Sequence, residues 1–257
     1  MIFRFFIIAC CLLFVAGTQT LPAAEKAADV AYQVYHRDVG NDMQLTGTME
    51  LISSGGQKRV REYTSLRLDT DTERKVLIRF TAPADIAGTA FLVREDLVTD
   101  TTEQHLYLPA LKRTRRIVAS QQGRSFVNTD FTFEDMRRQP LDDWNYQLDQ
   151  PTEYQGRACY ALISSPKEGT DSQYSRIVSL IDMQTFMPLQ IDFFDSRDRH
   201  SKTYRVTAVA LIDGIATEME TLMTDLRSGH STRLVTHQVR YNSGLKDHLF
   251  TTRALEQ

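Results

Sequence analysis

Cysteine, paired histidine and long apolar runs are scarce in this chain, and each scarcity removes a class of protein. There are three cysteines in 257 residues. Cys10 and Cys11 fall in a leader described below, which leaves Cys159, and one cysteine cannot close an intramolecular disulfide. Cys159 sits in the strand-like run Ala158–Ile163 and is expected as a small buried hydrophobe rather than a reactive thiol. The histidines, His36, His105, His200, His230, His237 and His248, form no His-x-x-x-His or similar pair at metal-ligand spacing. No Gly-x-Ser-x-Gly elbow, phosphate loop or dinucleotide fingerprint occurs. Blocks of like charge are also missing. The 30 basic and 33 acidic residues are interleaved, for a net charge of -3, so neither a charged tail nor a nucleic-acid footprint is expected. Glu134 and Asp135, beside Asp130, could be drawn as a carboxylate pair for glycoside cleavage. As neighbours on a short helix they would point apart, and they are read as solvated. No enzyme, cofactor or metal chemistry is expected; a binding or carrier role is.

The one long apolar run is N-terminal. Phe5 to Ala16 follows a single positive charge at Arg4, is too short to span a bilayer comfortably, and leads into small residues ending at Ala23 and Ala24. Residues 1–24 therefore read as a cleaved secretory signal peptide. Residues 25–257 read as one domain, since no linker or compositional break divides them.

After the leader, Ala27, Val30, Ala31 and Val34 have helical spacing. From Met43 onward the pattern changes to period two. Met43, Leu45, Met49 and Leu51 alternate with polar residues. Ser53-Ser-Gly-Gly56 signals a hairpin, and Lys58–Leu68 alternates again, with Val60, Thr64, Leu66 and Leu68 read as one face. Similar runs recur at Lys75–Phe80, Gly88–Val93, His105–Leu108, Trp144–Leu148, Arg157–Ser164, Ser175–Ile181, Pro188–Phe194, Lys202–Leu211, Ile215–Asp225 and Ser231–Tyr241. Turn signals separate them, the strongest being Asp213-Gly214. Consecutive hairpins give an antiparallel sheet with one apolar face. Ten or more strands are too many to stay flat, so the sheet should curl. The predicted fold is mainly β (α+β): a single curved antiparallel sheet with short helices on its concave side.

The stretch Arg79–Met136 organises the rest. It holds two strands, a basic group at Lys112, Arg113, Arg115 and Arg116, and a closing segment in which Phe126, Phe131 and Phe133 alternate with Asp130, Glu134 and Asp135. Thr129 or Asp130 could cap a short helix reaching Arg138. The basic group is either a solvated strand face or an anion contact, and the three phenylalanines are either core or a mobile flap. Met49, Leu51, Leu66, Ile78, Phe80, Phe91, Leu106 and Leu108 are assigned to the inner face. Periodicity leaves open whether they pack on the helices or line a cavity.

The phrases TAPADIAGTAFLV, LYLPALKRTRRI and SFVNTDFTFEDM, with the closing Val239–Thr252, resemble the outer-membrane lipoprotein-sorting proteins, in their LolA-like branch. The resemblance covers nearly all of the chain after the leader. It implies an unclosed β-barrel capped by helices, located in the periplasm, whose apolar inner residues hold acyl chains of a lipid or lipoprotein. On this reading Phe126, Phe131 and Phe133 form the flap, and Arg113, Arg115 and Arg116 meet headgroups or a partner. The partners would be the acylated cargo, an inner-membrane exporter and, transiently, a membrane. The rival expectation is a non-catalytic envelope adaptor that binds a protein through its sheet edge or basic rim.

Overall fold

A computed structural model describes residues 23–256. The expected leader lies outside the described residues except for Ala23 and Ala24, which open helix α1 (Ala23–Tyr35). Ala27, Val30 and Ala31 are buried against Leu162 and Ile181, with Val34 alongside, as their spacing requires.

Six strands follow: β1 (Asp42–Ile52), β2 (Lys58–Asp69), β3 (Glu73–Ala82), β4 (Ala90–Asp96), β5 (Thr101–Leu108) and β6 (Arg113–Arg116). Eight more come after residue 143: β7 (Trp144–Leu148), β8 (Thr152–Tyr154), β9 (Arg157–Pro166), β10 (Tyr174–Asp182), β11 (Pro188–Asp195), β12 (His200–Ile212), β13 (Ile215–Asp225) and β14 (Ser231–Tyr241). All belong to one sheet in the order β6-β5-β4-β3-β2-β1-β14-β13-β12-β11-β10-β9-β7, with β8 paired to β9. The sheet is curved and not closed. The chain starts at its centre, meanders out to the β6 edge, then reappears at the β7 edge and meanders back until β14 pairs with β1. Residues 117–143 must therefore cross from one edge of the sheet to the other, and they do so over the concave face.

Local chemistry sets the corners. Asp213 and Gly214 have φ of 52° and 82°, as do Gln155 and Gly156 at 51° and 75°; two consecutive left-handed residues make the tight turn that matches strand twist. At the joint between the halves, β14 bulges at His237, opposite Thr46 and Gly47 of β1. A Cβ on Gly47 would stand 2.5 Å from the Val235 carbonyl oxygen, so only glycine permits this approach.

The tail after β14 returns to the convex face of β2–β5. Asp42, buried at the start of β1, accepts hydrogen bonds from the Ser243, Gly244 and Leu245 backbone N–H groups at 2.8, 2.7 and 3.2 Å, and from the Ser243 hydroxyl at 2.8 Å. Lys75 pairs with Asp247, and Arg79 donates to the Ala254 carbonyl at 2.6 Å. Phe250 and Leu255, the latter in the short helix α2 (Thr252–Leu255), are buried against Leu77, Ala90 and Leu92. The convex face of this half is thus covered as well as the concave one.

Candidate functional site

The crossing segment fills the N-terminal half of the concave face. Phe126 is fully buried, with ring centroids 4.9 Å from Phe91, 5.9 Å from Phe133 and 6.2 Å from Phe80. Met49, Leu51, Tyr63, Ile78 and Val93 belong to the same cluster, which continues into the other half of the sheet through Phe131, Trp144, Tyr174, Ile177, Phe193 and Met223. The turn that delivers Phe126 is tight. Val127 and Asn128 both have positive φ, 49° and 61°, a conformation that costs a β-branched residue energy. Arg61 Nη1 donates to the Val127 carbonyl at 2.7 Å, and Phe126 N donates to the Phe131 carbonyl at 2.7 Å. The helix expected from Thr129 or Asp130 to Arg138 is reduced to a single 3-10 turn, Glu134–Met136. Its presumptive caps are used elsewhere: Thr129 Oγ1 donates to the Phe126 carbonyl at 2.7 Å, and Asp130 binds His230 and Thr232.

The acids of this segment are not solvated, contrary to the expectation for Glu134 and Asp135. Glu134 is buried and accepts from the Ser172 hydroxyl at 2.5 Å and from Gln173 N at 3.1 Å. Asp135 accepts from Thr132 N at 2.6 Å, the Thr132 hydroxyl at 2.9 Å, the Tyr174 hydroxyl at 2.7 Å and the Lys202 ammonium. Lys202 is itself buried, about 5 Å from the Tyr174 and Phe193 ring centroids. Asp130 takes the His230 imidazole Nδ1 at 2.8 Å and the Thr232 hydroxyl at 2.6 Å. The three carboxylates therefore tie the crossing segment to the second half of the sheet. Burial, reinforced by the Asp135 charge, pushes the Tyr174 phenol far above its ordinary range, so it stays a donor.

The other half of the concave face is not filled. A cavity of about 440 Å³ lies there, within the size range of small-molecule sites. Three structures border it. Helix α1 contributes Ala31, Val34 and Tyr35; the end of the crossing segment contributes Phe131 and residues 135–141; and strands β7 and β9–β13 contribute an apolar floor that includes Leu162, Ile177, Ile181, Ile191, Phe193 and Met223. Polar groups on the wall are mostly committed to the protein. Tyr204 donates to Glu218 Oε2 at 2.7 Å, and Tyr146 donates to the Leu141 carbonyl at 3.2 Å. Burial pushes the Tyr146 phenol up to about 12 and, with Glu218 beside it, raises Tyr204 well above the usual phenol value. Arg138 donates to the Tyr35 carbonyl and stacks 3.4 Å over the Tyr35 ring. This set offers an apolar slot whose named wall donors are spent on protein acceptors. It has no activated nucleophile.

Comparison with known proteins gives the arrangement a family. A family model described as an "Uncharacterized protein" family matches residues 72–257. The chain belongs to this family. A DUF1329 family protein from Desulfovibrio piger is 29% identical, with a TM-score of 0.85 over 91% of this chain and 99% of that one. An outer membrane lipoprotein-sorting protein domain from Vibrio parahaemolyticus is 27% identical, with a TM-score of 0.85 over 91% of this chain and 100% of that one. A LolA superfamily protein from Nitrosomonas europaea, 17% identical with a TM-score of 0.68 over 91% and 99% of the two chains, shares the fold. No curated protein matches by sequence.

Within this chain, the residues expected to line a cavity fall elsewhere. Met49, Leu51, Ile78, Phe80 and Phe91 are core beneath the crossing segment, and Leu106 packs against them. Leu66 is on the opposite face of the sheet, with Leu77, Phe250 and Leu255. Leu66 pairs with Gln44 and Leu77, while Tyr63 pairs with Gly47 and Phe80. Leu66 and Leu68 thus serve the tail, Val60 is exposed, and Tyr63, read as polar-side, serves the core. Leu108 is half-buried opposite Arg113 near the sheet edge. Of the three flap phenylalanines, all buried, only Phe131 reaches the cavity. Arg113 and Arg115 lie on edge strand β6 in register with Leu108 and Leu106, whereas Arg116 is in register with His105 and points to the other face, 3.5 Å from Glu103. None of the three borders the cavity. The lining from α1 and β9–β13 was missed because both halves show the same alternation; which half stays open is set by where the crossing segment lays its aromatics.

Proposed function

We propose that the protein is a non-catalytic periplasmic carrier. It takes the acyl part of a lipid or lipoprotein into the cavity between α1, residues 135–141 and β9–β13, and moves it between envelope membranes, with an inner-membrane exporter as the source. The observation that carries this reading is a cavity of about 440 Å³ with a mainly apolar lining, opening between α1 and the sheet; the second cleft, of about 480 Å³ beside Asp130, Arg199 and Lys202, has a polar lining. A protein interior normally closes apolar voids, because unfilled apolar space forfeits contacts. The likeness to the lipoprotein-sorting domain from Vibrio parahaemolyticus supports the cargo class. The leader, residues 1–24, supports export to the periplasm, leaving residues 25–257 as the binding domain.

Noncovalent burial suffices for the task. Each buried methylene contributes roughly 0.8 kcal/mol, so ten contribute roughly 8 kcal/mol before ordering costs. That is strong enough to extract a chain and weak enough to release it. Arg113 and Arg115, exposed on the edge strand, supply a basic contact for an anionic membrane surface or the exporter.

The test is native mass spectrometry of the mature protein, purified from a periplasmic extract without detergent, before and after organic extraction. A stoichiometric acylated adduct that extraction removes is the expected result. A clean apo mass, together with no uptake of fluorescent acyl probes, would transfer the case to the adaptor.

A further inference from the structure

The volume and the wall of the cavity together narrow its ligand. An engineered cavity of about 150 Å³ holds one benzene ring. On that scale a volume of about 440 Å³ accommodates roughly eighteen carbon atoms, one acyl chain rather than the several of a diacyl or triacyl lipid.

Four charged side chains border this space: Asp135, Arg137, Arg138 and Glu218. Three of them are occupied by the protein. Asp135 holds Thr132, Tyr174 and Lys202, Arg138 holds the Tyr35 carbonyl and stacks on its ring, and Glu218 accepts from Tyr204. Arg137 differs. Its single side-chain hydrogen bond among the described residues, from Nη2 to the Asp171 carbonyl, is 3.5 Å long, and its buried Nε has no acceptor. The Nη1 and Nη2 groups therefore keep donors for an incoming oxyanion, and the planar fork of arginine suits the paired oxygens of a carboxylate or phosphate.

We propose that the cavity receives a single-chain amphiphile of roughly eighteen carbons with an anionic oxygen head, and that Arg137 receives that head. The proposal rests on the carrier reading and adds the number of chains and the charge of the ligand to it. Arg137 acts as a specificity determinant, and the apolar floor from β9 to β13 supplies the bulk of the affinity.

The experiment compares ligands that differ only in the head. Dodecanoate, dodecyl phosphate, dodecanol and dodecyltrimethylammonium are titrated below their micelle concentrations into the delipidated mature protein by calorimetry. The wild type should bind both anions about 10–100-fold more tightly than the alcohol, the span expected of a charge-assisted hydrogen bond. The ratio of carboxylate to phosphate identifies the head. Arg137→Gln should bring the anions down to the affinity of the alcohol, with the circular-dichroism spectrum and melting temperature showing that the variant is folded. Arg137→Lys should restore part of the anion advantage. Equal affinity for all heads, a preference for the cation, or an unchanged anion advantage in Arg137→Gln would overturn the role of Arg137 and leave the carrier standing. A diacyl phospholipid that binds one-to-one as tightly as the single-chain anions would overturn the single-chain assignment. No binding of any dodecyl compound would instead sink the carrier reading itself.

Discussion

Replacing Phe126 with alanine tests whether the crossing segment is core or lid. The ring is fully buried and contacts Phe91, Phe133 and Phe80 from above the sheet. Truncating a buried phenylalanine removes its transfer energy and leaves a partly collapsed hole, about 3–5 kcal/mol in all. The Val127-Asn128 turn adds to the loss, since its positive φ values are tolerated only while the surrounding contacts enforce them. Unfolding entropy is about 2.1 cal/mol/K per residue. For the 234 residues from 23 to 256 that is about 0.5 kcal/mol/K, so the melting temperature should fall by about 6–10 °C. Thermal and urea unfolding of the delipidated protein measure it. Acyl-probe uptake well below the new melting temperature should persist, because Phe126 is outside the cavity lining. A loss of under about 1 kcal/mol would refute the reasoning: the segment would then be a loosely seated flap that lifts at little cost, and the filled half would be as open to ligand as the other.

Three further outcomes follow from the same contacts. Ile191→Trp, on the cavity floor, should abolish probe uptake while changing stability by less than about 1.5 kcal/mol, since it grows into empty space; uptake that survives would place the ligand elsewhere. Lys202→Met should cost about 3–5 kcal/mol by stranding the buried Asp135 carboxylate, and pairing it with Asp135→Asn should recover part of that loss in a double-mutant cycle. Asp42 is subject to burial, which works to raise its pKa, but the hydrogen bonds from Ser243, Gly244 and Leu245 outweigh burial and hold it below the ordinary carboxylate value. Its contribution is therefore fully present above the unfolded-state pKa and is lost as pH falls through the depressed folded value. Asp42→Asn should lower stability near neutrality by about 1–3 kcal/mol and flatten the acid limb of the stability curve below about pH 4; an unchanged limb would show that the tail clamp does not titrate.

Much of the fold follows from residue order alone. Period-two runs and their turn dipeptides mark β7, β13 and β14 to the residue, because alternation and left-handed turns are local properties. The α1 stripe of Ala27, Val30, Ala31 and Val34 is local in the same sense, and so is the burial of Cys159 within β9. The curled sheet itself is a consequence of strand number. Three things depend on tertiary contacts. Alternation divides a strand into two faces without saying which one a distant segment will cover; Leu66 faces the tail because Phe250 and Leu255 return 184 and 189 positions later in the chain. Glu134 and Asp135 look like solvated acids until Lys202, Tyr174 and Gln173 supply donors from the far half of the sheet. The location of the cavity is the third. Both halves carry an apolar concave face, and the half beneath Phe126 and Phe133 is closed by them while the half beneath α1 is left with space. Hydrophobic pattern fixes which side chains avoid water, but the unfilled volume is a difference between two packings, and only the path of residues 117–143 across the sheet decides where that difference falls.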